Sequence, residues 1–356
     1  MKKFAVKVIV YILAFCAVAI LPCILLDPYS VFHPLAVKDN GVEPNKNYTK
    51  MVYIKKNPEK FDSFIFGSSL AGMVNPENIP DAKCYNMTHS GGVVPEFEAN
   101  LRTMLKAGIV PKKIFVGLET GCYTDLPQNR NGDRMRVSYE YSQTNPLDFW
   151  GLYIDPAVNI DALRTVISTN NISDLEKEAF TRDYYANGGY PYYGFTWEFD
   201  REKAESDLHE SKERFQAAVR SNSLSAEHYA YMDEALSSMK NIVDLCEENE
   251  IELTVFVCPV YFETFERASR ETGFIEFLKE LAEITPYYNF CGFNDYTEDP
   301  TSYHEDRSHF LVELGDVMID SMCKGINDEH LLSQGFGVCV TEENLEELIC
   351  RITNVE

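Results

Sequence analysis

Residues 63–70 read Ser-Phe-Ile-Phe-Gly-Ser-Ser-Leu, and this octet decides the fold. Ser63-Phe64-Ile65-Phe66 is a short, unbroken apolar run of the kind that fills a strand buried on both faces, and Gly67 ends it. Outward from the octet, similar runs alternate with helical patterns. Residues 83–87 read as a second, weaker strand, 114–118 as a third and 251–257 as a fourth that stops at Cys258-Pro259. Residues 95–106 have helical periodicity, with Pro95 suited to a first turn and Gly108 to a C-terminal stop. Residues 226–250 predict a long helix and 310–323 a last amphipathic one. Short strands separated by helices imply a parallel sheet covered on both faces. No internal repeat or low-complexity tract interrupts the pattern.

The chain has 356 residues, 45 % hydrophobic and 25 % charged, a composition that excludes a disordered chain. Its net charge is −24; since the first 26 residues hold three lysines and no acid, the remainder carries −27. So acidic a body is a poor ligand for nucleic acid, whose phosphates are held by cationic side chains.

Residues 8–26 form a run of 19 without a charge, just the length a helix needs to cross a bilayer. Lys2, Lys3 and Lys7 precede it and Asp27 follows, which predicts a cytoplasmic tail at 1–7, a transmembrane anchor at 8–26 and everything beyond outside the cell. A cleaved signal peptide is the competing reading, but the run ends in Leu25-Leu26-Asp27-Pro28, without a small-x-small cleavage site.

The expected organisation continues with a polar approach segment at 27–60 and an α/β core from 61–123 and 250–325. An insertion or cap with a long helix fills 124–249, and a helical tail 326–356. The insertion is rich in aromatic residues. Trp150, Tyr153, Tyr184, Tyr185, Tyr190, Tyr192, Tyr193 and Trp197 suit either a sugar-stacking surface or the core of that lobe. Ten cysteines, none in CxxC spacing, give no zinc or redox motif, and several lie in apolar runs where buried free thiols are expected. His89, His304 and His309 have neither HxH nor HExxH spacing, so no metal is expected.

In an open parallel sheet, ligands bind beyond the carboxyl ends of the strands. Gly67-Ser68-Ser69-Leu70 follows the first strand there, Thr88-His89-Ser90-Gly91-Gly92 the second and Glu119-Thr120 the third; Asp306-Arg307-Ser308-His309 precedes the last helix. A serine at a strand-to-helix turn needs a base within reach and a carboxylate to orient it. Asp306 and His309, three apart at what reads as a helix entry, would share one face, so that the carboxylate holds the imidazole toward Ser69. Gly91 and Gly92, without side chains, would let backbone N–H groups approach an oxyanion. Each piece alone also has a bland reading, as a turn, a helix cap or a loop.

Together, Phe-Gly-Ser-Ser at 66–69, Tyr-Asn-Met-Thr-His-Ser-Gly-Gly at 85–92 and Asp-Arg-Ser-His at 306–309 resemble the SGNH/GDSL hydrolase superfamily. The likeness is greatest to its membrane-anchored branch in cell-surface polymer acylation, which includes the D-alanyl transfer protein of lipoteichoic acid synthesis and the alginate O-acetylation proteins. It covers 1–123 and 250–356. It implies a flavodoxin-like three-layer sandwich with a central parallel sheet behind one transmembrane helix. It also implies Ser69 as nucleophile, His309 as base, Asp306 as its orienting partner and Gly91 near the oxyanion, with Ser68 and Gly92 beside them. No cofactor is implied. A membrane-bound O-acyltransferase partner, a glycan or teichoic acid substrate and the outer face of the plasma membrane are. One departure stands out: hydrolases carry Gly-x-Asn-Asp after the third strand, and this chain has Gly117-Leu118-Glu119-Thr120. An ionised carboxylate cannot donate to an oxyanion, so Glu119 points away from an ordinary esterase; the resemblance accommodates it in the surface-acylation branch, whose third strand often ends in an acidic residue. The alternative function is a non-catalytic extracytoplasmic scaffold or glycan-binding domain partnering the acyltransferase.

Overall fold

A computed structural model of the chain describes residues 2–170, 172–174, 201–221, 223–224, 229–304 and 306–353. It divides into two compact units, Met1–Lys56 with Gln128–Lys177, and Asn57–Pro127 with Glu178–Glu356.

The smaller unit holds helices α1 (Lys2–Leu26) and α2 (Lys46–Lys56), then α4 (Tyr139–Thr144), α5 (Pro146–Ile154) and α6 (Ile160–Ser168). Two-residue strands β1 (Lys38–Asp39) and β5 (Ser173–Asp174) pair antiparallel. Among the described residues no helix is long and apolar enough to cross a membrane. The expected anchor at 8–26 therefore has no support from the fold beyond being helical.

The boundaries expected at 27–60 and 124–249 shift. Rather than an approach segment, residues beyond 26 build a core with the first part of the insertion: Tyr29, Val31, Tyr48, Val137, Phe149 and Tyr153 are buried together. Asn45 ties the segments by donating to the Val137 carbonyl and the Tyr153 hydroxyl, both at 2.8 Å, and its Oδ1 caps α2 through the Tyr48 N–H at 3.1 Å. Tyr153 is thus a core residue, while Trp150 stacks on Phe32 and stays partly exposed. Tyr184 to Trp197 lie outside the described residues.

The larger unit is built on a six-stranded sheet. Its strands are β2 (Ser63–Gly67), β3 (Cys84–Asn86), β4 (Lys113–Leu118), β6 (Glu252–Val257), β7 (Tyr287–Asn289) and β8 (Val338–Val340), in the order β3-β2-β4-β6-β7-β8. All neighbours are parallel except β7 and β8. The sheet is the mixed α/β, mostly parallel one expected, with helices enough for layers on both faces. The fully buried β2 and the buried residues 114–118 of β4 carry the apolar runs that predicted them.

The helices of this unit are α3 (Val94–Lys106), α7 (Arg201–Arg220), α8 (Met232–Glu248), α9 (Phe262–Glu271), α10 (Phe274–Ile284), α11 (Asp295–Glu298), α12 (Val312–Lys324), α13 (Glu329–Ser333) and α14 (Leu345–Thr353). Helix α8, expected in the insertion, packs on α3, and α7 packs on α9 through Phe215, whose ring stacks on Phe265 at 5.6 Å. The expected helical tail instead supplies the antiparallel edge strand β8 before its last helix. All nine cysteines whose side chains are described are free, six of them buried.

Candidate active site

Order in the sheet places the site. The five parallel strands run second, first, third, fourth, fifth, so the direction of winding reverses between β2 and β4 and opens a crevice beyond their carboxyl ends. Gly67 and Gly117 are partners in register there. A Cβ on either would fall 2.4 Å from the Ala71 methyl. The two glycines therefore admit the turn after β2 tight against the sheet, and that turn carries Ser68, Ser69 and Leu70. The Ser68 carbonyl accepts the Gly72 N–H at 3.3 Å and its hydroxyl the Leu70 N–H at 3.3 Å, which fixes the backbone on both sides of Ser69.

The second part arrives from the other end of the chain. Tyr303 and Phe310 form an antiparallel bridge, the His304 N–H donates to the His309 carbonyl at 2.8 Å, and a short loop closes between them. Its left-handed residue is Arg307, whose guanidinium lies over the Tyr261 ring at 5.6 Å. Asp306 and His309 belong to this loop rather than to a helix entry, since α12 begins only at Val312. Their juxtaposition comes from an Asp turn: Asp306 Oδ1 accepts the N–H groups of Ser308 and His309 at 3.0 Å each.

Three side chains meet as a result. His309 Nδ1 lies 2.5 Å from Asp306 Oδ2, and His309 Nε2 lies 2.8 Å from Ser69 Oγ. Asp306, which cannot donate while ionised, fixes the Nδ1–H tautomer and leaves the Nε2 lone pair toward the serine. Burial acts to raise the Asp306 pKa. The hydrogen bond and charge of His309 and the two backbone N–H groups outweigh it, and the carboxyl is held below its ordinary 3.8.

A cleft of about 180 Å³ opens beside this trio. Gly91, Glu119, Thr120, Val260 and Thr264 line it. Glu119 stands at the end of β4, where its Oε2 accepts the Gly121 N–H at 2.5 Å and the Thr120 hydroxyl at 3.4 Å. Desolvation pushes its carboxyl above the ordinary 4.5, against the pull of hydrogen bonds from Gly121, Ser68 and Thr120 and of nearby His309. Ser68, almost wholly buried, thus serves as a tether between the serine turn and Glu119.

Gly92 is not part of the cleft. It is buried, a Cβ there would meet Phe97, the Gly67 carbonyl and His89, and its N–H is used by the His89 carbonyl at 3.1 Å. Its expected place at the oxyanion is corrected accordingly; Gly91 alone of the pair lines the cavity. Ser308 lies inside the Asp-Arg-Ser-His motif and Val260 follows the fourth strand, but neither was given a role, and Thr264 carried no signal because it meets the site only through folding. A larger cavity of about 330 Å³, near Asp320, Asn327 and Phe336, is lined by Ser321, whose hydroxyl donates to the Asn327 amide oxygen at 2.6 Å rather than to a base. Among the described residues, no group of three His, Cys, Asp or Glu side chains is placed to hold a metal ion.

No protein-family model matches the chain, and no curated protein matches it either.

Proposed function

We propose that this chain is a serine-dependent acyl esterase or acyltransferase of the SGNH type. The observation that carries the reading is the unbroken relay from Asp306 through His309 to Ser69, at 2.5 and 2.8 Å, opening on a small cleft. In the proposed cycle His309 Nε2 takes the proton of Ser69 Oγ as the oxygen attacks the carbonyl carbon of an acyl ester. The tetrahedral intermediate collapses, the alcohol leaves with the proton held by His309, and the acyl group stays on Ser69. A second hydroxyl, from water or a sugar, gives its proton to His309, takes the acyl group and restores the serine. Asp306 stabilises the imidazolium in both halves. The small cleft suits a short acyl group.

The substrate class follows from the motif resemblance. A free hydroxyl of a cell-surface glycan or teichoic acid, or water, would be the acceptor, with a membrane-bound O-acyltransferase as the partner that supplies acetyl or D-alanyl groups. Tethering belongs to the same proposal and rests on the uncharged run at 8–26 behind Lys2, Lys3 and Lys7. The experiment is labelling of the full chain, in detergent, with a fluorophosphonate probe. Labelling that disappears in Ser69→Ala supports the enzyme; absence of labelling on folded protein favours the scaffold.

A further inference from the structure

Exposed apolar surface is unevenly divided between the two units. Among the described residues, nineteen large apolar side chains are exposed, and sixteen of them belong to the smaller unit. The larger unit, over twice as long, contributes only Val110, Tyr229 and Ile326. Charge divides the other way. The larger unit carries 19 Lys and Arg against 46 Asp and Glu, the smaller 13 against 10. Beyond Lys7 the smaller unit is balanced at ten against ten, so it alone of the two escapes repulsion by an anionic surface.

Nine of the sixteen lie on α1 and seven beyond it, four of these on α5 and α6. On α5, Leu147 is 88 % exposed and Trp150 37 %, and partly exposed Ile154 continues the same helix face. Gly151 belongs to that stripe, and a Cβ there would meet nothing within 4 Å. On α6, Ile160 and Ile167 stand two turns apart on one face, the latter 72 % exposed. The opposite sides of these helices are already buried, through Phe149 and Tyr153 of α5 and Leu163 and Val166 of α6. The outer stripes are therefore additional to what the core needs. Charge on the two helices is sparse: α5 has Asp148 alone, and Asp161 of α6 accepts from Arg164 at 3.2 Å.

Both helices pack on α1. Cys23, near its end, is fully buried, whereas Val18, Leu21 and Leu25 are exposed. The stripes thus adjoin a helix with exposed apolar side chains from Phe4 to Leu25. Trp150 stacks on Phe32, just past that helix, at 5.5 Å. A half-packed indole suits the level where hydrocarbon meets headgroups. A bilayer would cover α1 and the stripes together; a protein seated on the stripes would leave α1 exposed.

We propose that the smaller unit rests on a lipid bilayer, with the α5–α6 stripes at headgroup depth beside α1. The proposal deepens the tethering part of the proposed function and makes no use of the serine chemistry. An apolar face lying in the interface adds buried area to whatever α1 supplies.

The test places the full chain carrying Trp197→Phe, which leaves Trp150 as its only tryptophan, in mixed phosphatidylcholine–phosphatidylglycerol vesicles. Phosphatidylcholine brominated in its acyl chains quenches an indole on contact, so flotation reads attachment and Trp150 emission reads docking. Brominated vesicles should lose most of the emission seen in plain ones, more with bromines near the headgroup than near the chain ends. Leu147→Glu combined with Ile167→Glu, both at exposed positions, should restore the emission while the chain still floats and keeps the parent's melting temperature in detergent. Emission equal in brominated and plain vesicles, on a chain that floats, overturns the docking face and leaves tethering standing. Quenching that survives the double substitution overturns it too, since Trp150 then meets lipid without the stripes. A chain that does not float overturns tethering and docking together, and the serine mechanism is untouched.

Discussion

His309 Nε2 stands 2.8 Å from Ser69 Oγ although 240 residues of chain separate them. The contact is made by two rigid devices rather than by flexible side chains reaching out. One is a glycine-floored turn after β2. The other is a loop pinned by the Tyr303–Phe310 bridge and by an aspartate folded over its own backbone. The same aspartate then orients the His309 imidazole, so loop geometry and tautomer are set by one side chain.

Asp306→Asn tests that double role. The amide retains the turn, since its oxygen can accept the Ser308 and His309 N–H groups, but it no longer favours the Nδ1–H tautomer. Turnover of 4-nitrophenyl acetate should fall by about 10³–10⁴-fold, with a melting temperature below the parent's at neutral pH because the variant lacks the stabilising carboxylate. The stability comparison has a sign. Because the folded carboxyl sits below its ordinary 3.8, it stabilises the fold above that pH, and the contribution is lost as pH falls through the folded value. Denaturation midpoints of parent and variant should therefore converge in acid below pH 4.

Glu119 carries the opposite sign. Its carboxyl is raised above 4.5, so between that pH and its folded value the folded state holds more proton than the unfolded one. Stability must fall as pH rises through this window. Glu119→Gln, which can still accept the Gly121 N–H, is expected to melt higher than the parent at pH 7 and alike at pH 4.5. A variant less stable than the parent at pH 7 would mean that the ionised carboxylate is the form the fold prefers.

The thiols give a check on the larger unit. Cys84, Cys122, Cys246, Cys258 and Cys291 are buried, and desolvation raises all five; Cys246 and Cys291 are pushed up to about 12. Native protein treated with a thiol reagent at pH 8 should react first at exposed Cys339 and Cys350, then at partly exposed Cys323. The buried five should react only after unfolding. Mass mapping of the modified peptides reads this out, and fast modification of Cys258 or Cys291 would contradict the packing behind Glu119.

Some of this was legible in the sequence, and the physical reasons for the rest are specific. Phe64 to Phe66 and Ile114 to Leu118 announce their strands because a strand buried on both faces must be apolar at every position. Tyr287–Asn289 and Val338–Val340 are three residues each, too short for any period to show. In sequence the smaller unit reads as an approach segment and an insertion because its core draws tyrosines and Asn45 from segments far apart in the chain, and aromatic residues without periodicity do not signal a shared core. The spacing of Asp306 and His309 identified the pair but suggested a helix, since residues three apart also meet across an Asp turn. Gly92 could not be told from Gly91 without knowing which of the two the turn places on the cleft.

The most direct test of the central claim is the rate of fluorophosphonate labelling and ester turnover in Ser69→Ala against the parent. The serine is partly exposed, and its hydroxyl bonds His309 across the cleft rather than a core group, so the variant should melt within a few degrees of the parent. Labelling at residue 69 should be lost, and turnover should fall by about 10³-fold or more. Labelling and turnover that persist undiminished in a folded Ser69→Ala protein would contradict the account.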